Sequence, residues 1–544
     1  MDATKQRIHP DVQKRIKMER DSWMHYSPDE LMVLISEGFY GKVIGHAVQF
    51  ASFIDLKKVA DSLKNRNDLT QNQMLYIIFM AITLNSHRSK TMIKRIGYKN
   101  VSELSSDYLK MIELFDSDSE YMVKELLKKE LVNRYIIENR SEEEQKLAAK
   151  SLQENSILSF VKTIISEVKN SELFKLEATK TSWGNDFSCF YQFALWCGAQ
   201  FQTTNPPLIL SAWKMDKEYW ADKLITLNTD VGLISSDSSP LSKEELIIAL
   251  ATFVIVEENC LLSRDIFLAS DGQLGFVCYQ VNPHNHACPE KMIAEVEIVY
   301  DLMLKRLQGG EPNISFKLPG TKAGLEAAKI LSQKGISLTI TLCFGLFQAI
   351  PFSKVFAKSL APTNGIVVMN GRLSYPVRDE LESKYPGCKI HKDASKLAGV
   401  AVTKKLFNLL YKQQNYDSNK IRILNASLRI YGIEIPDVTE IWGTPAITIF
   451  PNVRHAMDAT DRLLDDQSIE KPLERVYLDY LADSEIFRQA FWNNENSDEF
   501  KPSVVLDLVS SDESIVRSWT PIAETLSQFI KAYDDLKTIV LKYF

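Results

Sequence analysis

Apolar positions in the first third of the chain recur with helical spacing, and the punctuation between runs has a physical reason. Ser27-Pro28-Asp29-Glu30 places a capping hydroxyl, a proline at the first helical position and a glutamate at N3 ahead of Leu31-Met32-Val33-Leu34-Ile35. Thr70-Gln71-Asn72-Gln73 repeats the capping-box logic before the apolar run over 74–84, and Ser141-Glu142-Glu143-Glu144 opens a helix reaching Leu152. The pattern predicts an N-terminal helical domain over 1–170. It contains no fixed-period repeat and no ligand-type cluster, so plain structural helices are the first reading and an interaction or regulatory module the second.

From Leu173 the texture changes to short β-rich runs alternating with longer helical ones. Strands are expected over 173–178, 199–204, 274–281, 314–318, 337–344, 366–369, 421–426 and 446–450. Helices are expected over 242–257, 289–307, 322–334 and 392–410. Eight strands alternating with helices predict an α/β fold, a (β/α)8 barrel over 171–456 whose chemistry collects at the C-terminal strand ends. A doubly wound open sheet is the alternative. The stretch over 457–544 reads as a helical C-terminal extension that caps the barrel or forms a homo-oligomer interface. Residues 493–499 read as a loop within it.

Length and composition narrow the function classes. The chain has 544 residues, 45% hydrophobic and 25% charged, with 64 Lys and Arg against 70 Asp and Glu and a formal net charge of −6. That suggests two to four domains, or one barrel with large additions. A mildly acidic chain without a Lys/Arg tract gives no electrostatic reason to expect a nucleic-acid or anionic-membrane partner. The apolar run over 74–84 is well short of the roughly 20 residues that cross a bilayer, so no membrane span is expected. Seven cysteines without a CxxC pair fit reduced thiols, and the opening residues lack the apolar stretch of a secretory signal, so a cytoplasmic location is expected. His284-Asn285-His286 with Cys288 has metal-like residue types, but an i, i+2 pair in a loop is a poor tetrahedral site; no metal is expected. Pro319-Gly320-Thr321-Lys322-Ala323-Gly324 has the wrong lysine and hydroxyl order for a Walker loop, so no nucleotide cofactor is expected.

Lys317 is the sharpest chemical signal. It interrupts the apolar strand Ile314-Ser315-Phe316-Lys317-Leu318, where an ammonium costs several kcal/mol to desolvate unless it is paired or loses its proton. A buried lysine that gives up its proton is a nucleophile toward carbonyls. The bland reading is a snorkelling or salt-bridged lysine on a short edge strand.

Neighbouring motifs change those odds. Ser315-Phe316-Lys317-Leu318-Pro319-Gly320-Thr321, followed by Gly324-Leu325-Glu326-Ala327-Ala328, Gly335-Ile336, Thr339-Ile340-Thr341-Leu342 and Gln348-Ala349, resembles the Schiff-base segment of transaldolases. Thr203-Thr204-Asn205-Pro206 resembles the second-strand motif of that family, Gln280-Val281-Asn282-Pro283 the third-strand motif, and Ala426-Ser427-Leu428-Arg429 the seventh-strand phosphate motif. Gly371-Arg372 sits where the family has its sixth-strand arginine. The resemblance implies that Lys317 forms a Schiff base with a ketose phosphate, Thr341 helps to position the catalytic water, and Asn205 hydrogen-bonds the bound dihydroxyacetone unit. It implies further that Arg372, Ser427 and Arg429 hold the phosphate, a role that suits guanidinium forks.

Three departures qualify the resemblance. Gln280 stands where transaldolases carry a glutamate working through water; the related fructose-6-phosphate aldolases have a glutamine there. Met369 falls where an aromatic is expected, and Thr339 replaces an asparagine. For the first-strand aspartate, Glu177 in Leu176-Glu177-Ala178 is taken first, with Asp186 as the alternative, though Asp186 also reads as a helix cap. The implied function is transaldolase-like: moving a dihydroxyacetone unit between sugar phosphates, as in pentose phosphate metabolism, without cofactor. An aldolase that releases dihydroxyacetone, and a catalytically silent sugar-phosphate-binding barrel, are the alternatives.

Overall fold

The computed structural model describes residues 12–22, 141–143, 145–146 and 179–544, apart from 190–193, 196, 232–238, 461–463 and 495–498. Most of the expected N-terminal domain, the strand expected over 173–178, and Glu177 lie outside the described residues.

Seven parallel strands form one sheet: β1 (Ser182–Asn185), β2 (Val277–Gln280), β3 (Ile314–Pro319), β4 (Leu338–Thr341), β5 (Asn364–Met369), β6 (Ile421–Ala426) and β7 (Ala446–Ile449). Their order is β1-β7-β6-β5-β4-β3-β2. The two edges of this sheet meet through Gln202, which bridges in parallel to Asn185 of β1 and to Val277 of β2. The Gln202 N–H donates to the Phe276 carbonyl at 3.0 Å, and its carbonyl accepts from the Cys278 N–H at 2.9 Å. The strand expected over 199–204 is therefore present as one short segment, and it closes the ring as the second of eight positions. Every residue of β2 to β7 is buried, as befits parallel strands covered on both faces.

β1 is the strand that sequence reasoning did not find. Ser-Trp-Gly-Asn has neither β-branched residues nor alternation. It is a strand because β7 pairs with it residue by residue. Gly184 also lets the ring of Phe201 lie where a Cβ would sit, only 2.3 Å away.

The helix starts expected at Ser27 and Thr70 lie outside the described residues. Lys243–Leu262 opens on a capping box between Ser242 and Glu245 and buries residues all round its circumference, because it lies between the barrel wall and further helices. The single helix expected over 392–410 is broken into Lys389–Ser395 and Ala398–Phe407, with a wider-wound turn over Asn408–Gln413. His391 of the first piece meets Asp483, while Gly399 of the second sits against the Asn370 backbone, where a Cβ would have no room.

Both ends of the barrel are covered. Helix Val12–Ser22 packs against the N-terminal side, with Val12 and Ile16 on Phe267 and Leu268 and with Glu19 paired to the buried Arg264. Helix Thr520–Val540 lies at the other end, against Pro206–Met215, Lys243–Leu262 and Asn370–Lys384. Within this chain the C-terminal extension thus takes the capping arrangement. Among the described residues no helix is long and apolar enough to cross a membrane.

Candidate active site

Lys317 sits in β3 and is 4% exposed. Parallel register places it beside Gln280 of β2 and Thr339 of β4, so the three side chains share the inner face of the ring. Counted round the ring, Lys317 stands at the fourth position. Its Nζ donates to the backbone carbonyl of Thr204 at 2.9 Å, which partners the ammonium without neutralising it.

Asp186 follows β1 directly. Its backbone N–H donates to Ile449 at 3.1 Å, and its carboxylate accepts from the Thr203 hydroxyl at 2.8 Å rather than capping a helix. The residue keeps some solvent access, but surrounding protein raises its carboxyl above the ordinary aspartate range; Lys317, Thr203, Arg372 and Arg429 oppose that rise. One lysine and two arginines therefore act on this carboxylate. Asp186, the alternative to Glu177 in the sequence, thus stands one residue beyond β1, while Glu177 lies outside the described residues.

Arg372 belongs to the first turn of helix Asn370–Lys384, following β5. Its Nη1 donates to Gln528 of the C-terminal helix at 2.6 Å, and its guanidinium lies 5.7 Å from the Phe529 ring centre. Burial and the neighbouring charge of Arg429 pull Arg372 down to about 10, against the pull of Asp186 and Glu524. Arg429, beyond β6, donates from its guanidinium to the carbonyls of Ser427 and Leu428, both at 3.1 Å, over the ring of Tyr375. Its backbone N–H donates to the buried Asp437 at 2.8 Å, whose carboxyl burial pushes up to about 7.

Two backbone features bring the arginines together. Ser427 adopts a left-handed φ of 59°, a strained conformation for a residue with a side chain. Its carbonyl accepts from the Gly371 N–H at 3.1 Å, an approach so close that a Cβ on Gly371 would lie 2.3 Å from Arg429 Cγ. Two guanidiniums are thereby held at one end of the barrel, close enough for the charge of Arg429 to act on Arg372.

The remaining expected residues divide. Asn205 caps helix Pro206–Met215 through its Oδ1, which accepts from Leu208 at 3.0 Å and leaves the amide NH2 as the end a ligand would meet. The Thr341 hydroxyl reaches the Met369 sulfur at 3.8 Å, so the departure at Met369 is in direct contact with the expected water-positioning threonine. Gln280 Oε1 is buried without a hydrogen-bond partner. Beside it a narrow cavity is lined by Asn205, Glu295 and Tyr533. Glu295 accepts from Tyr279 and from the Asn282 N–H, and burial pushes it up to about 7.

Sequence reasoning missed Thr203, Gln528, Phe529 and Tyr533 as site residues. The last three carry only the signal of an amphipathic tail helix. His284, part of the metal-like group, is instead bound to Asp534 of that helix at 2.8 Å.

A family model described as Transaldolase/Fructose-6-phosphate aldolase matches residues 190–500, more than half of the chain. Among curated proteins, a transaldolase of Nostoc punctiforme is 29% identical over 151 residues, 28% of this chain and 39% of that protein. A probable transaldolase 2 of Bacillus cereus is 36% identical over 77 residues, 14% of this chain and 35% of that protein. A transaldolase of Prochlorococcus marinus is 25% identical over 268 residues, 49% of this chain and 70% of that protein. The chain spans about two-fifths of the length of the first of these relatives.

Proposed function

Since this chain belongs to the transaldolase/fructose-6-phosphate aldolase family, we propose that it moves a dihydroxyacetone unit between sugar phosphates through a Schiff base on Lys317. The amine adds to the ketose carbonyl, and the carbinolamine loses water to give an iminium. The C3–C4 bond then breaks as the C4 hydroxyl gives its proton to Asp186 and becomes the aldehyde carbonyl, the bonding electron pair passing to the iminium to leave an enamine. The leaving aldehyde phosphate departs, and the enamine left on Lys317 attacks the aldehyde of an acceptor. Hydrolysis by a water held near Thr341 and Gln280 frees the lysine.

The observation that carries this reading is the convergence of Lys317, Arg372 and Arg429 on one carboxylate, Asp186. A phosphate held by two guanidiniums keeps the sugar carbonyl beside the amine, and orientation of that kind supplies several kcal/mol of barrier lowering. Pentose phosphate metabolism is the setting such a transfer suits. A second reading, release of free dihydroxyacetone as in an aldolase, is favoured by Gln280, whose buried amide can hydrogen-bond a water but cannot exchange a proton near neutral pH.

Borohydride trapping with fructose 6-phosphate, read by intact mass and peptide mapping on wild type and Lys317→Ala, tests the mechanism. An adduct on Lys317 that is lost in the variant supports it; turnover by Lys317→Ala overturns it. Donor cleavage with and without an aldose phosphate acceptor separates transfer from release.

A further inference from the structure

Away from the barrel mouth, three side chains from two segments converge at the outer helical layer. Cys388 immediately precedes helix Lys389–Ser395, and His391 stands in the first turn of that helix. Asp483 follows helix Arg475–Leu481. The Cys388 sulfur lies 3.1 Å from His391 Nδ1, and His391 Nε2 lies 2.9 Å from Asp483 Oδ2. The imidazole is stacked flat on Tyr385, with centroids 4.2 Å apart, and meets the edge of Tyr480 at 5.0 Å. Two aromatic walls and two hydrogen bonds fix the ring, so Nδ1 stays aimed at the sulfur.

This is the order of groups that activates a nucleophile: thiol, imidazole, and a carboxylate that orients the imidazole. Cys388 is partly exposed, whereas His391 is buried. The facing groups are Tyr385, Tyr480 and Asp483, with the Lys384 ammonium on the Asp483 backbone carbonyl at 2.9 Å. Hydrogen bonding from His391 holds the Cys388 thiol below its ordinary value. Burial disfavours the charged His391, but its bonds to Asp483 and Cys388 outweigh that and raise it. Both shifts favour a thiolate beside an imidazolium.

Of the other six thiols, four are buried and two, Cys189 and Cys288, are partly exposed. Cys197, Cys260, Cys278 and Cys343 are buried, and burial raises Cys260, Cys278 and Cys343. The Cys288 thiol donates to the Glu290 carboxylate at 3.5 Å.

We propose that Cys388 is a modifiable thiol, activated by His391 and positioned through Asp483, that forms a mixed disulfide with a small disulfide of the glutathione type. The Cys388 thiolate attacks one sulfur of the incoming disulfide. A new S–S bond forms as the old one breaks, and the leaving thiolate takes the proton carried by His391. The protein thiol is oxidised, half of the small disulfide is reduced to a free thiol, and no other reactant is needed.

The test uses the full chain with oxidised glutathione across pH 5 to 10, with peptide mapping, for wild type, Cys388→Ser, His391→Gln and Asp483→Asn. In the wild type, Cys388 should react ahead of the other six cysteines, with a rate inflection below the ordinary thiol value of about 8.5. His391→Gln should return the inflection to that value and slow Cys388 at pH 7 by about 10-fold. Asp483→Asn, at a partly exposed position, should give a smaller shift in the same direction. Labelling spread evenly over the cysteines, a wild-type inflection at the ordinary value, or a profile indifferent to both substitutions would overturn the proposal. Because the wild-type profile and the Asp483 variant decide alone, a poorly folded His391 variant leaves the test intact.

Discussion

The carboxylate of Asp186 and the hydroxyl of Thr203 meet at 2.8 Å, one residue beyond β1 and one residue beyond the Gln202 bridge. The bond therefore spans the seam that closes the barrel, and it fixes the carboxylate among the three cations of the site. Asp186→Asn keeps the shape and removes the proton acceptor. Turnover should fall by roughly 10²- to 10⁴-fold while the borohydride adduct on Lys317 still forms. Near-normal turnover would move the proton-transfer role elsewhere.

Gly371 is expected to be irreplaceable even by alanine. Its Cβ would press on Arg429 and on the Ser427 carbonyl, at 2.3 and 2.4 Å, and separate the two arginines. Gly371→Ala should raise KM for a phosphorylated ketose by at least about 10-fold, with a smaller change in kcat, and cost about 1–3 kcal/mol of stability. Steady-state kinetics with chemical denaturation would read both effects.

Gln528 reaches Arg372 from the C-terminal helix at 2.6 Å and holds its guanidinium still. Gln528→Ala removes one hydrogen bond to a charged group, so KM for fructose 6-phosphate should rise about 5- to 20-fold. Adduct formation with dihydroxyacetone, which carries no phosphate, should be unchanged. Equal losses with both compounds would show that the helix acts on the lysine instead.

Glu295 links stability to pH with a definite sign. Its folded value of about 7 lies above the ordinary glutamate value of roughly 4.3, because burial outweighs its hydrogen bonds. The folded state thus prefers the protonated acid. That stability is fully present below the ordinary value and is lost as pH rises through about 7. Glu295→Gln lacks this loss, so the difference in unfolding free energy between variant and wild type, read by chemical denaturation, should move in favour of the variant between pH 4 and 8, by up to about 3 kcal/mol. Parallel curves would contradict the burial of an ionisable group at this position.

Much of the framework was legible along the chain. Runs such as Ile314-Ser315-Phe316-Lys317-Leu318 and Ala446-Ile447-Thr448-Ile449 are strands in the structure because buried parallel strands need continuous β-favouring residues, and that need is written locally. Capping chemistry was equally local, as Ser242 and Glu245 show. Lys317 was legible for a related reason: a charge inside an apolar run is conspicuous at short range. The strand Ser182–Asn185 was not, since its pairing with β7 and the fit of Phe201 over Gly184 depend on residues far away in sequence. For the same reason the choice between Glu177 and Asp186 could not be made from local pattern; the place of Asp186 at the end of β1 became visible only when the ring closed. Sequence determined most of the strands and helices of the barrel and which lysine stands out. Tertiary structure alone decided that the charge of Lys317 acts on Asp186 and that the tail helix meets Arg372, because hydrogen bonding and charge act over a few ångströms in space while the groups involved lie over a hundred residues apart.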